Sequence, residues 1–116
     1  MAARSDITES DHFFLGEDRD LRILVVDETG APLDCSSFTL VWNLSRNEDD
    51  APVVVVDSGI TFENGNGTGD LVVVPVEAAD TADLLPGWYK HSLWRTGTGN
   101  TWVITFGKCY LGRAAG

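Results

Sequence analysis

The sequence predicts an all-β fold: an antiparallel β-sandwich of about eight strands with one short helical connector. Three observations lead there. Apolar residues alternate with period two in LRILVVD (21–27) and FTLVWNL (38–44). β-Branched runs recur in PVVVVD (52–57) and DLVVVPV (70–76). Glycine, proline and asparagine punctuate the gaps between these segments. With 116 residues the chain suits one domain, and its 43% hydrophobic and 22% charged content is neither disordered nor membrane-like. The apolar runs are far shorter than the roughly 18 residues that a spanning helix needs.

Residues 1–11 read as an extended arm, because Asp6, Glu9 and Asp11 stand where a secretory signal would place its apolar stretch. A short first strand is expected around His12 to Leu15, opening a sandwich over residues 12–112, with 113–116 as a tail. In the next strand Leu21, Ile23 and Val25 share one face. After the turn DETGAPLD, with Gly30 and Pro32, so do Phe38, Leu40, Trp42 and Leu44. A short strand is expected at 60–62, after Gly59 and before Gly65, Gly67 and Gly69. Pro75 restricts the run 70–76 to a sheet edge or a strand end. EAADTADLL (77–85) is the helical connector, stopped by Pro86 and Gly87.

The order L-x-P-G-x-Y, Leu84 to Tyr89, places a tyrosine just inside a strand after a tight crossing between sheets. This is a tyrosine-corner pattern, in which the buried ring fills the end of the core and its hydroxyl bonds upstream backbone, here expected from Asp80 to Asp83. It points to an immunoglobulin-like sandwich, in which Trp42 and Tyr89 are buried. A hairpin turning on Gly97 to Asn100 would set Trp94 opposite Val103 and Leu93 opposite Ile104. Tyr89, His91, Leu93, Trp102, Ile104 and Phe106 then face the core, and Trp88, Lys90, Ser92, Trp94, Val103 and Thr105 face outward. The outward set is too apolar for ordinary solvated sheet, so it is either covered by the N-terminal arm or meets another protein.

Net charge is −10 and unevenly placed. All 18 acids lie between Asp6 and Asp83, the first 83 residues hold four bases, and the only charges beyond are Lys90, Arg95, Lys108 and Arg113. Such a chain lacks the concentrated positive surface that nucleic acid requires.

Chemistry finds little apparatus. Cys35 and Cys109 form no CxxC pair and have no clustered histidine; two buried or half-buried thiols are expected, with a disulfide as the alternative. Glu63, Asn64, Asn66 and Asp70 have oxygens suited to calcium, but turn formation explains the same residues without a metal. His12 and His91 have no nucleophile motif beside them, and His91 reads as a core histidine. Asp80 with Asp83, and Glu48 with Asp49 and Asp50, lie in turns without an apolar pocket to raise a pKa. The expectation is a non-enzymatic protein with no cofactor and no bound metal.

The run FFLGEDRDLRILVVDETGAPLD, then FTLVWNLS, DSGITF, DLVVVPV, ADTADLLPGWYKHSLW and GKCYL, resembles the immunoglobulin-like N-terminal domain of phage baseplate upper proteins and its single-domain relatives in tailed bacteriophages. The resemblance spans about residues 12–112; baseplate upper proteins continue into a trimerising stalk, and with only Gly112 to Gly116 after the domain a stalk role is not expected here. It implies a structural virion protein, assembled in the host cytoplasm, working by association. The major capsid protein is the favoured partner, in a capsid decoration or cement role. Tail, neck or baseplate proteins are the alternative, and neither nucleic acid nor membrane is a partner. A carbohydrate-binding adhesion module, stacking sugar rings on exposed Trp88 and Trp94, is the reading from another class. Candidate partner-binding residues are Trp88, Lys90, Trp94 and Val103 on the outward face and Phe13 in the N-terminal run.

Overall fold

The computed structural model describes residues 3–8, 11–47, 50–97 and 101–113. Among the described residues eight strands form two facing sheets. The larger contains β1 (Ala3–Arg4), β8 (Trp102–Leu111), β7 (Gly87–Thr96), β3 (Thr39–Ser45) and β4 (Val54–Val56), in that spatial order. The smaller contains β2 (Arg19–Leu24), β6 (Leu71–Val76) and β5 (Thr61–Glu63). Every pairing is antiparallel except β1 with β8. β2, β6 and β5 stand as the B, E and D strands of an immunoglobulin-like sandwich and β3, β7 and β8 as its C, F and G strands, so the order itself defines the fold.

The period-two pattern works as expected in the strands that carry it. Leu21, Ile23 and Val25 meet Leu40, Trp42 and Leu44 across the core, with Val72, Val74 and Val76 beside them, all buried. Pro75 is the penultimate residue of β6, beyond the last β5 pairing at Val73, so its missing N–H interrupts no ladder on that side. The helical connector is shorter than the sequence pattern: α1 is a single turn, Ala78–Thr81, closed by a capping box between Glu77 and Asp80. The tyrosine corner is present. Tyr89 is buried, and its hydroxyl donates to the Leu85 carbonyl at 2.6 Å, four residues upstream and not within Asp80 to Asp83 as expected.

The N-terminal run departs from expectation. Residues 3–8 are not a free arm but lie along the edge of β8, where Ser5 N–H bonds the Phe106 carbonyl, Ile7 N–H the Lys108 carbonyl and Tyr110 N–H the Ile7 carbonyl. Ile7 is buried in the core. The strand expected at His12 to Leu15 reduces to a single bridge between Phe14 and Gly112.

His91 occupies the position two residues after the corner tyrosine, where antibody domains place a disulfide cysteine. Here Trp42 Nε1 donates to His91 Nδ1 at 3.2 Å, and His91 Nε2 meets the Ser5 carbonyl at 2.5 Å. That pairing makes His91 a neutral imidazole with its proton on Nε2. A buried hydrogen-bonded chain thus joins β3, β7 and the N-terminal segment. Gly107, opposite His91 on β8, makes room for it: a Cβ there would collide with the Ser5 carbonyl. Cys35 and Cys109 are buried free thiols. Burial pushes their pKa up, to about 11 and about 12, which leaves little thiolate for chemistry.

Candidate docking surface

The hairpin of β7 and β8 builds the outward face of the larger sheet. Residues 98–100 of its turn, and Glu48 and Asp49 between β3 and β4, lie outside the described residues. Trp94 pairs with Val103 as the sequence predicts, but Leu93 pairs with Thr105, not Ile104. A β-bulge lies between, so that Ile104 and Thr105 together oppose Leu93. One extra residue reverses every later side chain of β8. Thr105 turns inward and is buried, whereas Phe106, expected in the core, turns outward and is 40% exposed. Trp102, also expected in the core, lies at the end of the sandwich, half open, with the Arg95 guanidinium between it and Phe38 at 4.8 and 4.0 Å from the ring centroids.

Cross-strand rows then define the surface. Trp94 lies between Val41 and Val103; Ser92 lies between Asn43 and Phe106, with Arg4 beside Phe106; Lys90 lies between Ser45 and Lys108; and Trp88 lies beside Tyr110. Trp88 is 49% exposed and its ring meets Tyr110 edge-on at 5.1 Å, while Trp94 Nε1 donates to Ser92 Oγ at 2.8 Å. A groove of about 290 Å³ runs between Arg4, Ser45, Asn47, Lys90, Trp94 and Phe106. Arg4 pairs with Asp6 at 3.1 Å. The Lys108 backbone N–H, followed by Arg4, holds the Asp6 carboxyl below its usual range. The arrangement is two aromatic patches separated by a cationic row, on an otherwise acidic molecule. It offers apolar area and positive charge on one sheet face.

The structure brings four of the candidate residues, Trp88, Lys90, Trp94 and Val103, onto this face. It removes the fifth. Phe13 is 1% exposed, pinned where Gly112 N–H bonds the Phe13 carbonyl and covered by the Arg19 guanidinium 6.0 Å from its ring centroid. Arg4, Phe106 and Tyr110 belong to the face but escaped the sequence reading. Phe106 and Tyr110 follow from alternation once the register shifts by one residue. Trp88 and Trp94 stand six residues apart on one strand, roughly 20 Å, too far to grip one sugar ring together. In the 63–70 loop Glu63 pairs with Arg22 at 3.4 Å, Asn64 Oδ1 accepts the Gly69 N–H at 3.0 Å, and the Asp70 carboxylate accepts the N–H groups of Gly65, Asn66 and Gly67 at 2.7, 3.0 and 3.1 Å. Burial opposes its ionisation, but those three donors outweigh burial and lower its pKa.

The fold and face define a small immunoglobulin-like sandwich with an open aromatic and cationic sheet face. No protein-family model and no curated protein matches the chain. Among solved structures it is similar to the NK cell receptor Nkp44, a triggering partner in natural cytotoxicity, with 12% identity and a TM-score of 0.44 over 98% of this chain and 99% of the other.

Proposed function

We propose that the chain is a non-enzymatic structural protein of a tailed-bacteriophage particle, held to its neighbours by the outward face of β7 and β8. The observation that carries association over turnover is the juxtaposition of exposed Trp88 and Phe106 with Lys90, Lys108 and Arg4 on one sheet face of a molecule with net charge −10. The virion setting rests on the sequence resemblance to baseplate upper protein domains. A single small face gives a modest contact, and a repetitive lattice multiplies modest contacts, which favours capsid decoration with the major capsid protein as partner. A tail, neck or baseplate position is the second reading. Assembly takes place in the host cytoplasm.

Copy number in purified particles tests the setting: on the order of hundreds supports the capsid, about six or twelve moves the protein to the tail, and absence from particles removes the virion reading. For the face itself, Trp88→Ala should weaken particle binding by about 2 kcal/mol while changing folding stability by less than about 0.5 kcal/mol. Binding at the wild-type level by a Trp88→Ala, Phe106→Ala double variant would exclude this surface.

A further inference from the structure

The sandwich has four sheet edges, and three are short: β1 has two residues, and β4 and β5 have three each. The fourth, β2, has six residues and pairs only with β6; among the described residues no strand lies on its other side. A groove of about 410 Å³ separates that edge from Ser5, Asp6, Ile7 and Asp11, so these residues do not pair with it. Which backbone groups it presents follows from the ladder. Val25 N–H bonds the Asp70 carbonyl, and Asp20 stands opposite Pro75, which has no N–H to give. The odd residues Arg19, Leu21 and Ile23 therefore exchange bonds with β6, and the even residues Asp20, Arg22 and Leu24 direct N–H and C=O outward.

We infer that β2 is a homodimer edge, pairing antiparallel with β2 of a second copy about a two-fold axis through Leu21. The charges select the occupant and the register. Opposed edges can bond only when even residues face even residues. With Leu21 opposite Leu21 of the second copy, Asp20 faces the other Arg22 and Arg22 the other Asp20, joined by about four backbone hydrogen bonds. Sliding one strand by two residues sets Arg22 against Arg22, which like-charge repulsion disfavours. The edge is thus complementary to itself, as an isologous interface requires. The two smaller sheets join into one of six strands, the docking face stays open on each copy, and the inference stands apart from the proposed function.

The test is molar mass by sedimentation equilibrium from about 10 µM to about 1 mM in physiological salt, the range in which small interfaces associate. Wild-type protein should rise from 12.6 kDa toward twice that value. Arg22→Pro removes an outward N–H and the exposed Arg22–Glu63 ion pair at 3.4 Å, a contact that adds little in solvent, so it should stay close to the wild-type circular dichroism and melting temperature and remain monomeric. Asp20→Arg and Arg22→Asp should each abolish the dimer, and the two combined should restore it. Trp88→Ala should dimerise like wild type. A wild-type monomer at the highest concentration, a dimer that survives Arg22→Pro, or a charge swap that fails to restore association would overturn the inference.

Discussion

β7 carries two faces made of alternating residues, and they differ in kind. Inward, Tyr89, His91 and Leu93 are buried, and both polar groups among them are bonded: the hydroxyl to Leu85, the imidazole to Trp42 and Ser5. Outward, Trp88 is half exposed and Lys90, Ser92 and Trp94 are only partly covered. Aromatic residues on the two sides therefore do different work. Those whose polar atoms and rings are enclosed set stability, and those left open have unburied area that only another molecule can cover.

Changes on the inward side should be read in unfolding, beginning with the largest. Trp42→Ala removes a fully buried indole and leaves His91 Nδ1 without its donor, so stability should fall by about 3–5 kcal/mol in urea titrations. A loss below about 1 kcal/mol would break the contrast. Gly107→Ala sharpens it by forcing the Ser5 carbonyl off His91. A cost of roughly 1–3 kcal/mol is expected, with faster amide exchange at Ser5 and Ile7, whose N–H groups bond β8. Tyr89→Phe keeps the ring and deletes the corner bond, costing about 1 kcal/mol.

The smallest effect is a pH dependence. Desolvation lowers the His91 pKa below 6.5, and the Ser5 bond and the Asp6 charge only partly oppose it. Above pH 6.5 the imidazole is neutral folded and unfolded, so this contribution to stability is fully present. As pH falls below that value the unfolded chain takes up a proton that the folded chain resists, and stability declines. Melting temperature should drop between pH 7 and pH 5 in wild type, and His91→Gln should reduce the slope; equal slopes would assign the dependence elsewhere.

Particular residues show what was legible. Leu21, Ile23 and Val25, or Leu40, Trp42 and Leu44, reveal their shared face because alternation within one strand is local and the turn residues that bound it are local too. L-x-P-G-x-Y gave away the tyrosine corner for the same reason. The outward positions of Trp88, Lys90 and Trp94 followed from Tyr89 alone. Phe106 and Trp102 did not follow, because a β-bulge inserts one residue without changing the composition that pattern reading depends on.

The sequence by itself determined an antiparallel sandwich, its turns, its corner tyrosine and the two faces of β7, all set by backbone preferences and side-chain alternation over a few neighbouring residues. Tertiary structure decided where the N-terminal segment runs, why Phe13 is core, which group answers the Trp42 N–H, and how β8 turns Phe106 outward. These depend on contacts between residues some 50 to 100 apart in the chain, such as Trp42 with His91 and Ser5 with Thr105. No local preference encodes such contacts; they are selected together when the two sheets close on one shared core and polar groups such as the Trp42 and His91 nitrogens are enclosed with partners.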